Sequence, residues 1–182
     1  MEKNHEVRKE TGLIQIYTGN GKGKSTAAFG LALRAMGSGL RVVIIQFMKK
    51  GEWYGEINAF AQLPKIEVFS FGGHGFLKKG QPPGADHLAQ AQNALNKAGE
   101  IMMDNWADML ILDELTNALY FELITEEEAR ALLALKPPHI ELVITGRYAP
   151  DYLMESADLI TEMVEIRHPY RLGITARRGI EY

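Results

Sequence analysis

The sequence predicts an α/β protein built in three layers, a mostly parallel sheet with helices on both faces. Three observations carry that expectation. Short apolar runs alternate along the chain with helical patterns, the rhythm of strands joined by crossover helices. One run, Arg41 to Phe47, has a continuous β-branched core, Val42 to Ile45, which suits a strand buried on both faces. The first run, Leu13 to Tyr17, passes through a glycine-rich loop straight into an alanine-rich helical pattern, Thr26 to Met36. A chain of 182 residues is long enough for one domain with a full core, and it contains no internal repeat or low-complexity linker.

Taken in order, Gly37-Ser38-Gly39 stops the first helix, and the second strand follows over 41–47. A looser segment, Met48 to Leu63, contains Lys49, Lys50, Trp53, Tyr54 and Glu56. Ile66 to Phe71 reads as the third strand and runs into a loop, Gly72 to Gly80, that carries His74 and Phe76. Beyond Pro82-Pro83-Gly84 a long helix starts near Asp86. Leu88, Ala91, Leu95, Ala98, Met102 and Trp106 recur at helical spacing and give it one apolar face. Met109 to Leu112 is the fourth strand. Thr125 with Glu128 forms a capping box that opens a helix over Ala129 to Leu135, which Lys136-Pro137-Pro138 ends. Glu141 to Thr145 is the fifth strand, Asp151 to Ser156 a short helix, and Leu159 to Ile166 a final strand. The tail from Arg171 is basic. Residues 1–11 read as a flexible N-terminal arm and 12–182 as the single domain.

Composition narrows the function. Apolar content of 46% and charged content of 24% are ordinary for a globular protein. A net charge of −3 supplies no global basic field, so no nucleic-acid partner is expected. The absence of cysteine excludes a disulfide framework, a thiolate metal site and a cysteine nucleophile, and it fits a cytoplasmic location. No apolar run reaches the roughly 20 residues of a membrane span, and the polar first residues lack the apolar core of a signal peptide, so no membrane partner is expected. The histidines show no zinc-ligand spacing.

The chemistry concentrates at Thr18-Gly19-Asn20-Gly21-Lys22-Gly23-Lys24-Ser25-Thr26. The glycines let backbone N–H groups converge on phosphate oxygens, and the new helix adds the positive end of its dipole. Lys24 is expected to reach the terminal phosphates, and the Ser25 hydroxyl to ligate Mg²⁺. Thr18 stands where the usual spacing has a glycine, six positions before Lys24, so the loop is one residue tight. Met109-Leu110-Ile111-Leu112-Asp113-Glu114 has the form of the acidic strand that partners such a loop, with Asp113 and Glu114 both candidates for the metal. Ligands of open sheets sit at the carboxyl ends of the strands. That rule gathers the glycine loop, Gln46, the loop around Phe76, Asp113-Glu114 and Arg147 on one edge. Arg34, on the first helix, is either a nucleotide contact or a solvated side chain. The expected frame is that of a phosphate-loop NTPase of the RecA-like kind.

At this point the sequence resembles the ATP:cob(I)alamin (corrinoid) adenosyltransferases of the cobalamin-salvage type. The likeness rests on residues 17–30 with the same shortened glycine spacing, on Gln46-Phe47-Met48-Lys49 with Gly55-Glu56, and on Leu110 to Leu115. It extends through Ile144-Thr145-Gly146-Arg147, Ala157 to Met163, His168-Pro169 and Arg178-Gly179-Ile180-Glu181-Tyr182. The pattern departs at Lys78, where the family often has an aromatic, and at Arg171, where it often has aspartate. The resemblance implies transfer of the 5′-deoxyadenosyl group of ATP to cobalt(I) of a cobalamin or cobinamide-type corrinoid, with release of triphosphate, of the cob(I)yrinic acid a,c-diamide adenosyltransferase type. It also implies Mg²⁺, an electron-donating reductase of flavoprotein type, a homodimer, and a role for Phe76 against the corrin's lower face. Cobalt(I) is itself a strong nucleophile, so the protein's tasks are placement and stabilisation of the leaving group, with Lys24 the catalytic side chain. The competing readings are a small-molecule kinase or NTPase on the same loop, and an ATP-gated module without catalysis.

Overall fold

The computed structural model describes residues 11–50, 55–75 and 77–181. Six strands form one sheet: β1 (Ile14–Thr18), β2 (Val42–Phe47), β3 (Ile66–Phe71), β4 (Met109–Asp113), β5 (Glu141–Thr145) and β6 (Leu159–Glu162). The spatial order is β3-β2-β4-β5-β1-β6 and every pairing is parallel. Parallel strands need crossover connections, and helices supply them: α1 (Lys24–Gly37), α2 (Gly55–Phe60), α3 (Ala85–Met103), α4 (Leu115–Tyr120), α5 (Glu126–Ala134) and α6 (Asp151–Glu155).

Alternate strand residues feed two cores. Val43, Ile45, Leu110, Leu112, Leu142 and Ile144 pack with α3, α5 and α6, whereas Val42, Ile44, Met109, Ile111 and Val143 pack with α1 and Phe60 of α2. The predicted α/β class with helices on both faces is thus the observed one. Strands β2, β4 and β5 are buried along their whole length, apolar through the middle and with buried polar residues only toward their ends.

Four elements differ from the sequence reading. The segment after β2 contains α2, and a second short helix, α4, follows Glu114 directly. Helix α3 stops at Met103, so Trp106 lies outside it. Asn105 adopts φ 51°, the left-handed conformation that asparagine tolerates, and the Trp106 N–H returns to the Ile101 carbonyl at 3.3 Å. Trp106 is accordingly half exposed and donates to Glu67 at 3.1 Å, while Leu88 and Met103 face outward and Met102 is buried. Strand β6 ends at Glu162 rather than Ile166, and Pro169–Leu172 forms a 3-10 turn. The expected arm over 1–11 falls, but for Thr11, outside the described residues, as do Trp53, Tyr54, Phe76 and Tyr182.

Candidate active site

The carboxyl ends of β1, β4 and β5 converge because β5 lies between the other two, and the loops that leave them share one edge. Gly19 (φ 97°) and Gly23 (φ 120°) take conformations closed to most side chains, and this turns the chain from β1 into α1. A second constraint comes from behind. The Gly21 N–H donates to the Met163 carbonyl at 2.6 Å, and the Met163 N–H donates to the Thr18 carbonyl at 2.8 Å. A Cβ at Gly19 or Gly21 would stand 2.5 or 2.7 Å from that Met163 oxygen. The residue that follows β6 therefore backs the glycine loop, and the small residues admit it. Thr18, in the place of the usual first glycine, is the last ladder residue of β1, paired with Glu162.

Lys24 is buried, and its Nζ donates to the carbonyls of Gly19 (2.8 Å) and Gly21 (2.7 Å), so the ammonium closes the loop on itself. Burial and the nearby Arg147 cation push its pKa down, against the pull of Glu114. Such a cation is held where a polyanion would relieve it. Lys22 points the other way and donates to the Ile180 carbonyl at 2.9 Å. Asn20 and Thr26 are exposed at the loop and at the start of α1.

Asp113, fully buried at the end of β4, organises the edge. Its Oδ1 accepts from the Ser25 hydroxyl (2.6 Å) and the Thr145 hydroxyl (2.7 Å), and its Oδ2 from Gln46 (3.1 Å) and the Lys49 ammonium (2.7 Å). Burial alone would raise the pKa of this carboxyl. Lys49 and the hydroxyl donors outweigh it and hold the carboxyl below its ordinary range. Gln46 is fixed in turn by Ser70, whose hydroxyl donates to its side-chain carbonyl at 2.9 Å.

Glu114 leaves the strand at φ 65° and caps α4. Its N–H donates to the Thr145 hydroxyl at 3.0 Å and its carboxylate accepts from the Asn117 amide, while Asn117 Oδ1 accepts from the Arg147 N–H at 2.6 Å. Burial and the adjoining Asp113 push the Glu114 carboxyl up, against Lys49, Lys24 and Arg147. The structure thus brings Gly19 to Ser25, Gln46, Asp113, Glu114 and Arg147 to one edge, as the sequence predicts. Arg34 is exposed in the last turn of α1, roughly 15 Å along the helix from Lys24 at 1.5 Å per residue. His74 has a local role: its N–H donates to Asp86 at 2.8 Å and its ring accepts from Lys50. The oxygen donors of Ser25 and Asp113 suit a small hard cation completed by phosphate oxygens, the habit of Mg²⁺. Among the described residues no group of three or more His, Asp or Glu side chains could hold a metal on its own.

A family model described as ATP:corrinoid adenosyltransferase BtuR/CobO/CobP matches residues 10–182. The chain belongs to the ATP:corrinoid adenosyltransferase family. It is 39% identical to a corrinoid adenosyltransferase of Sinorhizobium sp., over 95% of this chain and 81% of that one. It is 34% identical to the corrinoid adenosyltransferase of Pseudomonas aeruginosa, over 100% and 89% of the two chains. Corrinoid adenosyltransferase CobA of Salmonella typhimurium is 35% identical, over 97% and 89%. As a member of the family of ATP:corrinoid adenosyltransferases, the chain shows at this edge residues that motif reading passed over. Lys49 and Thr145 stand inside motifs quoted for the likeness, yet only packing reveals that both serve Asp113. Asn117 had a signal in its spacing, three positions after Glu114 and so one helical turn away. Met163 had none, because it acts through its backbone.

Proposed function

We propose that the chain transfers the 5′-deoxyadenosyl group of ATP to the cobalt(I) of a corrinoid, with inorganic triphosphate as the leaving group. The observation that carries this reading is the state of the hydroxyls at the edge. Those of Ser25, Thr145, Ser70 and Thr116 each donate to a protein acceptor, and the chain has no cysteine. A nucleophile that arrives with the second substrate, as cobalt(I) does, asks nothing more of these side chains.

In this reading the N–H groups of the glycine loop other than that of Gly21, which Met163 holds, cradle the triphosphate together with the start of α1. Lys24 exchanges its two carbonyl partners for phosphate oxygens, and Arg147 adds positive charge from β5. Negative charge grows on the leaving triphosphate as the C5′–O bond breaks, and these cations stabilise it there. Ser25 and Asp113 would hold Mg²⁺, with Glu114 positioned beside them by Asn117; the ion would neutralise part of the triphosphate charge. Gln46 keeps Asp113 oriented. By family likeness alone, Phe76 presses on the lower face of the corrin and favours loss of the axial ligand. The same likeness supports a flavoprotein-type reductase as electron donor, a homodimer, a cytoplasmic location and the cob(I)yrinic acid a,c-diamide type of specificity.

Anaerobic incubation with ATP, Mg²⁺ and cob(I)alamin tests the reaction. Light-sensitive adenosylcobalamin and free triphosphate should form together, and both should vanish in Lys24→Ala. Orthophosphate with unchanged cobalamin would replace this reading with that of a small-molecule kinase or NTPase.

A further inference from the structure

Next to the phosphate-loop edge the chain builds an aromatic groove that ATP does not need. Leu119, Tyr120, Glu122, Tyr148, Pro150 and Tyr152 are among the residues that line it, around a cavity of about 480 Å³. The Tyr120 and Tyr148 rings stack with centroids 4.0 Å apart and planes 23° from parallel. Lys79 lies 4.5 Å from the Tyr120 ring centre and donates to the Tyr120 carbonyl (2.7 Å) and the Glu122 carboxylate (3.0 Å). Those bonds tie the loop after β3 to the groove. On the other side, Tyr148 follows Arg147 directly.

Two features of the groove are unexplained by folding alone. Tyr148 sits at φ 58°, uncommon for a bulky residue, and is nevertheless about half exposed. The Tyr152 hydroxyl is buried and has no hydrogen-bond partner. Buried polar groups are nearly always satisfied, and an exception points to a missing partner. Burial also pushes the Tyr152 pKa up, so at neutral pH the hydroxyl keeps the proton it would donate.

We propose that this groove receives the heteroaromatic base at the end of a corrinoid's nucleotide tail after that base has left cobalt. The proposal rests on the adenosyltransferase reading and specifies which corrinoids gain from it. A flat two-ring heteroaromatic matches the exposed face of the tyrosine pair. Its ring nitrogen is the match for Tyr152. While the base ligates cobalt, the nitrogen lone pair is in the Co–N bond. When that bond breaks, the pair stays on nitrogen and accepts the Tyr152 O–H. No electron or proton changes hands. A corrinoid without the nucleotide tail has nothing to place there.

Initial rates with chemically prepared cob(I)alamin and with cob(I)inamide, which lacks the base, test this at saturating ATP. Tyr152→Phe should raise KM for cob(I)alamin about fivefold, the scale of one lost hydrogen bond. Tyr148→Ala should raise it roughly tenfold, as loss of a stacking partner does. In both variants kcat, KM for cob(I)inamide and KM for ATP should stay at wild-type values. Free 5,6-dimethylbenzimidazole should inhibit the wild type competitively against cob(I)alamin and not against cob(I)inamide. Equal changes for both corrinoids, a change in KM for ATP, or no change at all would overturn the assignment and leave the reaction standing. A wild type that adenosylates neither corrinoid would remove the reaction and this inference together.

Discussion

Asp113 shows how one side chain sets the character of the site. It is fully buried and accepts from Ser25, Thr145, Gln46 and Lys49. Asp113→Asn keeps the shape, removes the charge opposite Lys49 and offers donors where acceptors are needed. We expect a loss of about 3 kcal/mol, the scale for breaking a buried ion pair. In a chain of this size that is a fall of roughly 6–12 °C in Tm, measurable by calorimetry. An unchanged Tm would mean that the web is looser than it looks. Glu181, which also bonds Lys22 of the glycine loop at 3.5 Å, offers a pH test. The Arg177 guanidinium and backbone N–H bind its carboxylate and hold its pKa down, from 4.5 to about 2. A depressed carboxyl contributes fully above its unfolded value and is lost as pH falls through the folded one. The turn over 177–181 should therefore hold at pH 4.5 and open toward about 2. A carboxyl NMR titration of Glu181 should place the midpoint there, and Arg177→Ala should return it to the ordinary range.

At the scale of elements, Thr125 and Glu128 bond each other's backbone N–H at the start of α5, at 3.2 and 2.8 Å. Thr125→Ala should cost about 1 kcal/mol, read as a shift of roughly 2–4 °C in Tm. That helix start was legible because the capping box is a local pattern, and the buried strands were legible for the same reason, as apolar runs. What escaped notice was decided elsewhere. Helices α2 and α4 have six residues each, too few to show a period. The apolar spacing runs on to Trp106, but a backbone conformation at Asn105 interrupts the helix before it. The site was legible as motifs at strand ends, while its second layer was not. The glycines at 19 and 21 illustrate the difference: the motif explains them by phosphate, and packing adds the approach of Met163. Gly19→Ala should weaken ATP binding at least tenfold in a fluorescent-nucleotide titration, since a 1.4 kcal/mol loss suffices and left-handed strain alone costs about that.

Over the whole molecule the exposed apolar surface is uneven. Among the described residues Val164, Ile166, Leu172 and Ile180 lie more than half exposed along the segment that follows edge strand β6. Within that segment Glu165 and Arg171 pair with each other, so the strip offers apolar surface beside charges that are already matched. A second copy laid along it covers the apolar residues, which fits the proposed homodimer. Sedimentation velocity should show a dimer that Ile166→Glu converts to monomer; a monomeric wild type would remove this surface from consideration. The place of β1 has a consequence of another kind. Its ladder partners are β5 and β6, and Ile14 already bonds Asp158, 144 positions away. A ribosome therefore delivers the phosphate loop early and its flanking strands late. While most of the chain is being made, that loop waits without its support, and a nascent chain halted before Met163 carries every residue of the glycine motif and no nucleotide site.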